Sequence, residues 1–255
     1  MKVQLGGVPE TLLWTLYHRS IEARRPDAIL TDPRAVELVE EIDYPFAERF
    51  GTGENGLAQW QALRVKRFDL EVRRFLAAKP GGTVVALGEG LETQFWRVDD
   101  GRVHWLTVDV PEAIEVRERL LPRGDRQSLV AGSALDESWM DAVDPSHGLL
   151  ITAQGLLMYF EFEDVERLVA ACARRFPGAA IVFDAVPRWL SEASRNGRIG
   201  RPGGFQPPPW IWGMDGDKRR RLGPLEELRL PRGRGVFGWV APLTRLLFTI
   251  QRRRF

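Results

Sequence analysis

The first third of the chain carries apolar residues at helical spacing. In residues 10–23 they recur every three or four positions, as on one face of a helix: Leu12, Leu13, Leu16, Tyr17 and Ile21. A second helix is predicted from Asp32, which can cap it, and Pro33, which suits the first helical position. A third covers residues 63–78 and stops at Pro80. Residues 1–80 are therefore predicted to form an N-terminal helical cap.

From residue 83 short apolar runs alternate with helical segments. The runs "TVVALG", "HWLTVDV", "QSLVAGS", the start of "GLLITAQGLLMYF" and "AAIVFDAV" predict five strands, with helices in "PEAIEVRERLL" and "EDVERLVAACARRF". The first run has no polar alternation, which is typical of a parallel strand covered on both faces. Residues 81–186 are therefore predicted to form a mostly parallel α/β sheet with right-handed crossovers and helices on both faces.

The remaining chain breaks this rhythm. Residues 187–235 are dense in Pro, Gly and Trp, and a long loop inside a compact domain is more often functional than accidental. We expect a lid over a substrate there. Residues 236–255 predict a short helix and a final strand. All 255 residues are expected to form one domain.

Composition and charge narrow the function classes. The formal net charge of +1 disfavours a protein that binds nucleic acid by neutralising many phosphates. The basic clusters at 218–221 and 252–254 are expected to be solvated faces or strand ends. Residues 1–10 lack the apolar core of a signal sequence, and the apolar stretch 236–250 is too short, and too interrupted by Pro242 and Arg245, to cross a membrane. A cytoplasmic protein without a membrane partner is expected, as a monomer or homodimer.

The Cys and His residues predict neither a disulfide nor a metal site. Cys172 is the single cysteine and lies among alanines in a helical segment, which indicates a buried position. His18, His104 and His147 lack the spacing of metal ligands. Activity without a metal is therefore expected.

A glycine turn follows the first predicted strand. Gly88 and Gly90 lie where an open α/β sheet binds ligands, and Asp109 follows 19 residues after Gly90, where an acid can accept ribose hydroxyls. A dinucleotide fold would have a third glycine where Thr93 stands, and Glu89 would repel a pyrophosphate. S-adenosylmethionine has a sulfonium and no phosphate, so an acid beside it is favourable. The turn therefore favours this cofactor over a nicotinamide dinucleotide.

Two further strand ends carry candidate cofactor contacts. After the third strand, Ser133 and Asp136 are expected to border the adenine and Leu135 to pack on its face. Asp136 could instead only cap the next turn. The segment "AQGLLMY" follows the fourth strand.

The chain resembles the leucine carboxyl methyltransferase family in its broad sense, especially its bacterial polyketide O-methyltransferase-like branch. The resemblance rests on motifs along nearly the whole chain: "RSIEARRPDAILTDPRAVEL", "LRVKRFD", "VVALGEGLETQFWRV", "WLTVDVPEAIEVRERLL", "AGSALDESW", "GLLMYF" and "FPGAAIVFDAVPRWL". It implies a Rossmann-like class I methyltransferase fold with a seven-stranded sheet. It also implies transfer of a methyl group from S-adenosylmethionine, commonly to a carboxylate, with S-adenosylhomocysteine as the product.

The resemblance assigns cofactor contacts residue by residue. Arg64 matches the arginine that pairs with the methionine carboxylate of the cofactor. The other matching positions are Gly88, Glu89, Gly90, Asp109, Val110, Ser133, Ala134, Leu135, Asp136, Gln154, Gly155 and Leu156. This chain departs from the family at Glu89, where a small residue or cysteine is usual, at Glu92 and Gln94 within a usual Gly-Leu-Asp-Thr-Arg, and at Gln154, where a glutamate is usual.

The methyl acceptor is expected between the N-terminal helices and residues 187–235. Arg19 and Tyr159 are predicted to orient a carboxylate, Arg19 by a bidentate contact. Trp189, Phe205, Trp210 and Trp212 are predicted to form flat apolar walls, or else to pack the lid onto the domain. No His or Asp/His pair lies at a strand end, which favours a carboxylate of a small, polyketide-like molecule over a hydroxyl that needs a base.

Other functions stay open from the sequence. They are methylation of a hydroxyl on a small aromatic compound, methylation of a protein tail, a protein that binds an adenosyl ligand without catalysis, and a dehydrogenase.

Overall fold

The computed structural model describes residues 10–52, 56–199, 205, 207–235 and 248–255. Its α-helices are α1 (Thr11–Ala23), α2 (Pro33–Glu41), α3 (Phe46–Phe50), α4 (Leu57–Ala78), α5 (Gln94–Val98), α6 (Pro111–Leu120), α7 (Phe162–Arg175), α8 (Arg188–Arg195) and α9 (Gly216–Arg221). Its strands are β1 (Thr83–Leu87), β2 (His104–Asp109), β3 (Gln127–Ala131), β4 (Leu149–Ala153), β5 (Ala180–Ala185), β6 (Glu226–Leu228) and β7 (Thr249–Arg254). Short 3-10 helices span Glu137–Ala142 and Leu157–Tyr159.

The seven strands form one sheet in the order β3-β2-β1-β4-β5-β7-β6. Strands β1 to β5 are parallel, and β7 pairs antiparallel with both β5 and β6. The strand order reverses between β1 and β4, and ligands of open α/β sheets bind beyond the carboxyl ends of the strands at such a point. The predicted α/β fold is confirmed.

Alternate side chains of the central strands enter two separate hydrophobic clusters. On β1, Val85 and Leu87 pack with α7 on one face of the sheet, whereas Val84 and Ala86 pack with α4 on the other. All five β1 residues are buried, because helices cover both faces. The predicted burial of Cys172 on α7 is confirmed, since its exposed fraction is 0%.

Helices α1, α2 and α3 form a third cluster over the sheet edge, which also includes Leu91. Asp32 caps α2 as predicted, because its Oδ1 accepts a hydrogen bond from Ala35 N at 3.1 Å and Pro33 begins the helix. The first residues of α1, Thr11 and Leu12, lie beside Gly88 and Gly155 at the carboxyl ends of β1 and β4.

The C-terminal third contains elements that the sequence pattern did not predict. Helices α8 and α9 and strand β6 fall within the predicted lid at 187–235. The final strand is confirmed as β7, whereas the predicted helix before it falls at 236–247, outside the described residues. The 252–254 cluster lies at the end of β7, which is one of its two expected placements, and Arg252 is buried there and pairs with Glu71 and Glu226. No helix in the described ranges has the length and apolarity that a membrane crossing needs.

Candidate active site

Two cavities open at the carboxyl ends of β1, β2 and β4. The first, the Asp109 cavity, has a volume of about 290 Å³. Its lining is mostly apolar and comprises Thr11, Leu12, Gly88, Val108, Asp109, Val110, Ala113, Gly132, Ser133, Ala134, Gly155, Leu156, Tyr159, Phe160 and Pro208. A mostly apolar space with one carboxylate at its rim suits a flat ring system that carries hydroxyl groups.

The second, the Arg64 cavity, has a volume of about 120 Å³. Its polar lining residues are Thr11, Thr15, Arg19, Gln61, Arg64, Glu89, Glu92, Gln94, Thr152, Gln154 and Asp184. Its aromatic and aliphatic lining includes Leu12, Trp14, Trp60, Met158, Tyr159, Val186, Pro207, Trp210 and Phe248. Charged and aromatic surfaces therefore meet in one cavity.

The two cavities share lining residues, so they adjoin. Thr11 and Leu12 come from α1, Gly88 from the turn after β1, and Gly155 and Tyr159 from the segment after β4. An elongated ligand can therefore extend from the Asp109 cavity into the Arg64 cavity past these five residues.

Close approach of other groups explains two glycines at this junction. Gly90 has a φ of +52°, and an added Cβ would come within 1.9 Å of the Leu12 side chain. Gly155 has a φ of +69°, and an added Cβ would come within 2.9 Å of Arg64 Nη1. Both positions therefore need glycine for conformation and for space.

Asp109 holds the glycine turn and still faces the Asp109 cavity. Its Oδ2 accepts from Gly90 N at 2.7 Å and its Oδ1 from Val110 N at 2.8 Å. Burial raises the pKa of Asp109, against the opposing effect of these two backbone donors. Each carboxylate oxygen has a second lone pair that can accept a ligand hydroxyl.

Glu89 is paired within the protein, which corrects the idea that its charge is available to a cationic ligand. Its carboxylate accepts from Trp105 Nε1 and the Thr107 hydroxyl and lies 3.1 Å from Arg117 Nη2. Arg117 Nη1 also donates to the carbonyl oxygens of Gly90 and Glu92, at 2.7 and 2.8 Å. Burial raises the pKa of Glu89, although Arg117 acts in the opposite direction. Arg117 therefore compensates the unusual acid and stabilises the turn.

Glu92 belongs to a buried ion network between the helical cap and the turn. Arg19 Nη1 lies 3.1 Å and Arg97 Nη1 2.7 Å from its carboxylate. Burial opposes ionisation, but the two guanidinium groups outweigh it and lower the pKa of Glu92 to about 2. Arg97 also pairs with Asp69 at 2.8 Å and with Asp32 at 2.9 Å. The Glu92 carboxylate is therefore ionised at neutral pH and lines the Arg64 cavity.

All the side-chain nitrogens of Arg19 bind groups of this ion network or of the turn. Its Nε donates to Asp32 at 3.1 Å, its Nη2 to the Leu91 carbonyl at 2.7 Å, and its Nη1 faces Glu92. Because all three nitrogens already have acceptors, the geometry gives Arg19 a structural role rather than the predicted bidentate contact with an acceptor carboxylate.

Arg64 reaches the cavity from α4 and is anchored by β5. Its Nη1 donates to Asp184 Oδ2 at 2.8 Å, and Asp184 Oδ1 accepts from Gly155 N at 2.6 Å. Arg64 Nε is buried without a hydrogen-bond partner. Gln154 donates to Glu92 at 3.2 Å, while its Oε1 is buried without a partner.

Among the described residues that line the Arg64 cavity, four have a buried polar atom without a protein partner. These atoms are Trp60 Nε1, Gln61 Oε1, Arg64 Nε and Gln154 Oε1. A buried polar atom without a partner costs about 1–3 kcal/mol, and such atoms cluster where a ligand completes the hydrogen bonding. The cavity is therefore built for a polar ligand.

Comparison with known proteins identifies the family. The model of the leucine carboxyl methyltransferase family matches residues 13–173, more than half of the chain. The chain belongs to this family. It is 35% identical over 204 residues to the tetracenomycin polyketide synthesis O-methyltransferase TcmP of Streptomyces glaucescens, covering 79% of this chain and 74% of that one.

A more distant relative agrees with this assignment, and a solved structure shows the same fold. The chain is 25% identical to the S-adenosyl-L-methionine-dependent methyltransferase dpfgK of Gibberella zeae, over 84% of this chain and 78% of that protein. It shares its fold with the crystal structure of a possible exported protein from Bordetella parapertussis, with a TM-score of 0.52 and 16% identity over 93% of this chain and 78% of the other. The protein is an S-adenosylmethionine-dependent methyltransferase.

The residues of the two cavities fit this cofactor. The unpartnered Arg64 Nε can hold its carboxylate, and the Gln154 Oε1 with the ionised Glu92 can hold its ammonium. Asp109 can accept the ribose hydroxyls, and the apolar Asp109 cavity can take the adenine.

The structure brings many of the predicted contact residues together. Those that line a cavity are Arg19, Arg64, Gly88, Glu89, Asp109, Val110, Ser133, Ala134, Gln154, Gly155, Leu156, Tyr159 and Trp210. Gly90 lies beneath the turn and acts through its N–H to Asp109. Asp136 caps the following 3-10 helix by accepting from Ser138 N at 3.0 Å, and Leu135 packs against the sheet cluster, so neither lines the Asp109 cavity.

Three of the predicted acceptor walls lie outside both cavities. Trp189 is 51% exposed on α8. Phe205 is buried against Trp14 and Phe50, and the Trp212 indole donates to the Leu157 carbonyl at 2.9 Å within the core. Packing of the chain, rather than substrate contact, explains Phe205 and Trp212.

Several lining residues escaped the sequence analysis. Trp60 and Gln61 precede Arg64 on α4, and Thr11 and Leu12 begin α1. Their helical spacing predicts only which residues share a face, and the sequence has no signal that this face meets a cavity.

Proposed function

We propose that the protein is an O-methyltransferase that methylates the carboxylate of a small aromatic molecule. The observation that carries this proposal is the Arg64 cavity, where unpartnered polar atoms and aromatic walls lie beside the cavity that suits an adenosyl group. The tetracenomycin polyketide synthesis O-methyltransferase, at 35% identity, supports oxygen as the methylated atom and a small molecule as the acceptor.

The described acidic groups that line the cavities are already paired, so they are not available as a general base for the methyl acceptor. This favours an acceptor that is already ionised. Glu89 and Glu92 pair with arginines, Asp184 pairs with Arg64, and Asp109 accepts from two backbone N–H groups. No histidine is among the described lining residues of either cavity. A phenol or alcohol would need a general base, whereas a carboxylate is ionised at neutral pH.

The residues of this chain align two ligands and exclude water. Bound S-adenosylmethionine supplies a methyl group already activated by its sulfonium. Arg64, Asp109 and the glycine turn hold the cofactor, and α1 covers the junction through Thr11 and Leu12. Alignment of reacting groups can supply roughly 7–11 kcal/mol of a barrier.

We propose that Tyr159 orients the acceptor. It lines both cavities, and its hydroxyl oxygen accepts from Trp210 Nε1 at 3.2 Å. This contact fixes the tyrosine ring against the aromatic wall. Tyr159→Phe is expected to impair methyl transfer while the affinity for S-adenosylhomocysteine stays within a few-fold of the parent.

Acid and phenol acceptors offered side by side test the proposal. The protein is incubated with S-adenosylmethionine and either 2-naphthoate or 2-naphthol, and the products are identified by mass spectrometry. We expect methyl 2-naphthoate. Formation of only the methyl ether of 2-naphthol would show that a hydroxyl is the acceptor and would overturn the carboxylate assignment.

A further inference from the structure

The aromatic end of the Arg64 cavity contains a hydrogen-bond donor and an acceptor that the cofactor contacts leave unused. Trp60 Nε1 and Gln61 Oε1 are both buried without a protein partner, and Gln61 is only 3% exposed. The cofactor groups considered above account for Arg64 Nε and Gln154 Oε1. The Trp60 N–H and the Gln61 amide oxygen are therefore available to bind a second ligand.

These two residues lie beside the predicted site of transfer. Trp60, Gln61 and Arg64 are one turn apart or less on α4, and all three line the same cavity. Arg64 is one turn beyond Trp60, so an acceptor that contacts Trp60 lies next to the cofactor end that Arg64 holds. The unpartnered pair thus belongs to the acceptor side of the cavity.

The walls around this pair are flat and apolar. Met158, Val186, Trp210 and Phe248 belong to one hydrophobic cluster, against which Trp60 and Tyr159 pack. The Trp60 and Phe248 rings meet edge to face, with centroids 4.5 Å apart. Aromatic walls favour a planar ring, which they can contact over its face or edge.

We infer that the acceptor is a flat aromatic acid that also carries a hydroxyl group, recognised by Trp60 and Gln61. Trp60 Nε1 donates a hydrogen bond to an oxygen of the methyl acceptor, and Gln61 Oε1 accepts a hydrogen bond from its hydroxyl group. A site built to hydrogen-bond a hydroxyl discriminates strongly against an analogue that lacks it, because its own polar group is then left unpaired. This inference rests on the proposed function and specifies its substrate class.

Calorimetry with the S-adenosylhomocysteine-saturated protein tests the inference. The probes are 2-naphthoate, 3-hydroxy-2-naphthoate and 6-hydroxy-2-naphthoate, titrated into the parent, Trp60→Phe and Gln61→Met. Gln61→Met keeps the approximate length of the side chain and removes its amide, and Trp60→Phe keeps an aromatic ring and removes the indole N–H. Trp96→Phe is the matched control, because Trp96 packs beside Arg34 and Arg117 and does not line either cavity.

We expect the parent to bind at least one hydroxynaphthoate about tenfold more tightly than 2-naphthoate. Gln61→Met should abolish that gain, Trp60→Phe should weaken all three probes by about tenfold, and Trp96→Phe should match the parent. Equal parent affinities for the three acids, or a gain that survives in Gln61→Met, would overturn the inference.

The same samples separate this inference from the proposed function. A protein that binds S-adenosylhomocysteine and forms methyl 2-naphthoate, but gains nothing from a hydroxyl, retains the proposed function and contradicts the inference. A parent that binds none of the three acids contradicts the inference as well. Absence of any heat with S-adenosylhomocysteine contradicts both.

Discussion

At the scale of single residues, Asp109 connects the glycine turn with the adenosyl site. Its two oxygens hold Gly90 N and Val110 N while the carboxylate lines the Asp109 cavity. Asp109→Ala should weaken binding of S-adenosylhomocysteine about 10- to 100-fold, since hydrogen bonds to a charged group contribute about 1.5–3 kcal/mol. Calorimetry of the folded variant measures this loss. Parent-like affinity would show that Asp109 does not contact the ligand.

Arg64 should recognise only the amino-acid end of the cofactor. Arg64→Lys keeps a positive charge for Asp184 but removes the unpartnered Nε. We expect at least tenfold weaker binding of S-adenosylhomocysteine and unchanged binding of 5′-methylthioadenosine, which lacks the carboxylate. Arg74→Met, an exposed arginine of the same helix, is the control. An equal loss for both ligands would indicate a general disturbance of the site and contradict this role.

The sequence could predict that the residues at the strand ends form the site, because the carboxyl ends of parallel strands lie at one edge of an α/β sheet. Gly88 follows β1, Asp109 ends β2 and Gly155 lies two residues after β4, and all three line a cavity. The partners of charged residues could not be predicted in the same way. Arg117 is 28 residues from Glu89 in the chain, and only the folded geometry shows that it neutralises this acid.

At the scale of elements, Asp32 joins the helical cap to the turn. It caps α2 and contacts Arg19, Arg97 and Thr93 at an exposed fraction of 1%. Asp32→Ala removes the cap of α2 and one of the buried carboxylates that pair with Arg19 and Arg97, and should lower the free energy of unfolding by about 3–5 kcal/mol. Arg24→Ala breaks an exposed pair with Glu40 and should cost no more than about 1 kcal/mol. Urea unfolding compares the two, and similar losses would contradict the structural role of the network.

The same network makes the stability of the fold sensitive to acid. The pKa of Glu92 is lowered to about 2 in the folded protein, from 4.5. Its stabilising contribution is therefore complete above about pH 4.5 and is lost as the pH falls towards 2. Glu92→Gln should lose less stability than the parent between pH 7 and pH 3, as measured by urea unfolding. A variant that loses as much as the parent would show that Glu92 does not contribute to the acid response.

The sequence predicted the long elements and missed the short ones. Strands β1, β4 and β5 are apolar runs because they are covered on both faces, and these runs are visible in the sequence. Strand β6 is three residues, Glu226–Leu228, at the sheet edge, and two of them are acidic. Such a segment has no strand-like pattern, and only pairing with β7 defines it.

At the scale of the whole molecule, two adjoining cavities explain how one chain binds a donor and an acceptor. The Asp109 cavity is mostly apolar, and the Arg64 cavity combines unpartnered polar atoms with aromatic walls. Long-range packing placed Trp60 of α4, Trp210 and Phe248 around one space, although they are separated by up to 188 positions in the chain. Tryptophan content alone could not distinguish these walls from Trp212, which packs in the core.

The most direct test is a crystal structure of the protein with S-adenosylhomocysteine and 2-naphthoate. We predict the adenosine beside Asp109, the homocysteine carboxylate on Arg64, and the naphthalene ring between Trp60 and Trp210 with its carboxylate towards the junction at Gly155 and Tyr159. Adenosine in the aromatic end of the Arg64 cavity, or the naphthoate bound away from both cavities, would contradict the account.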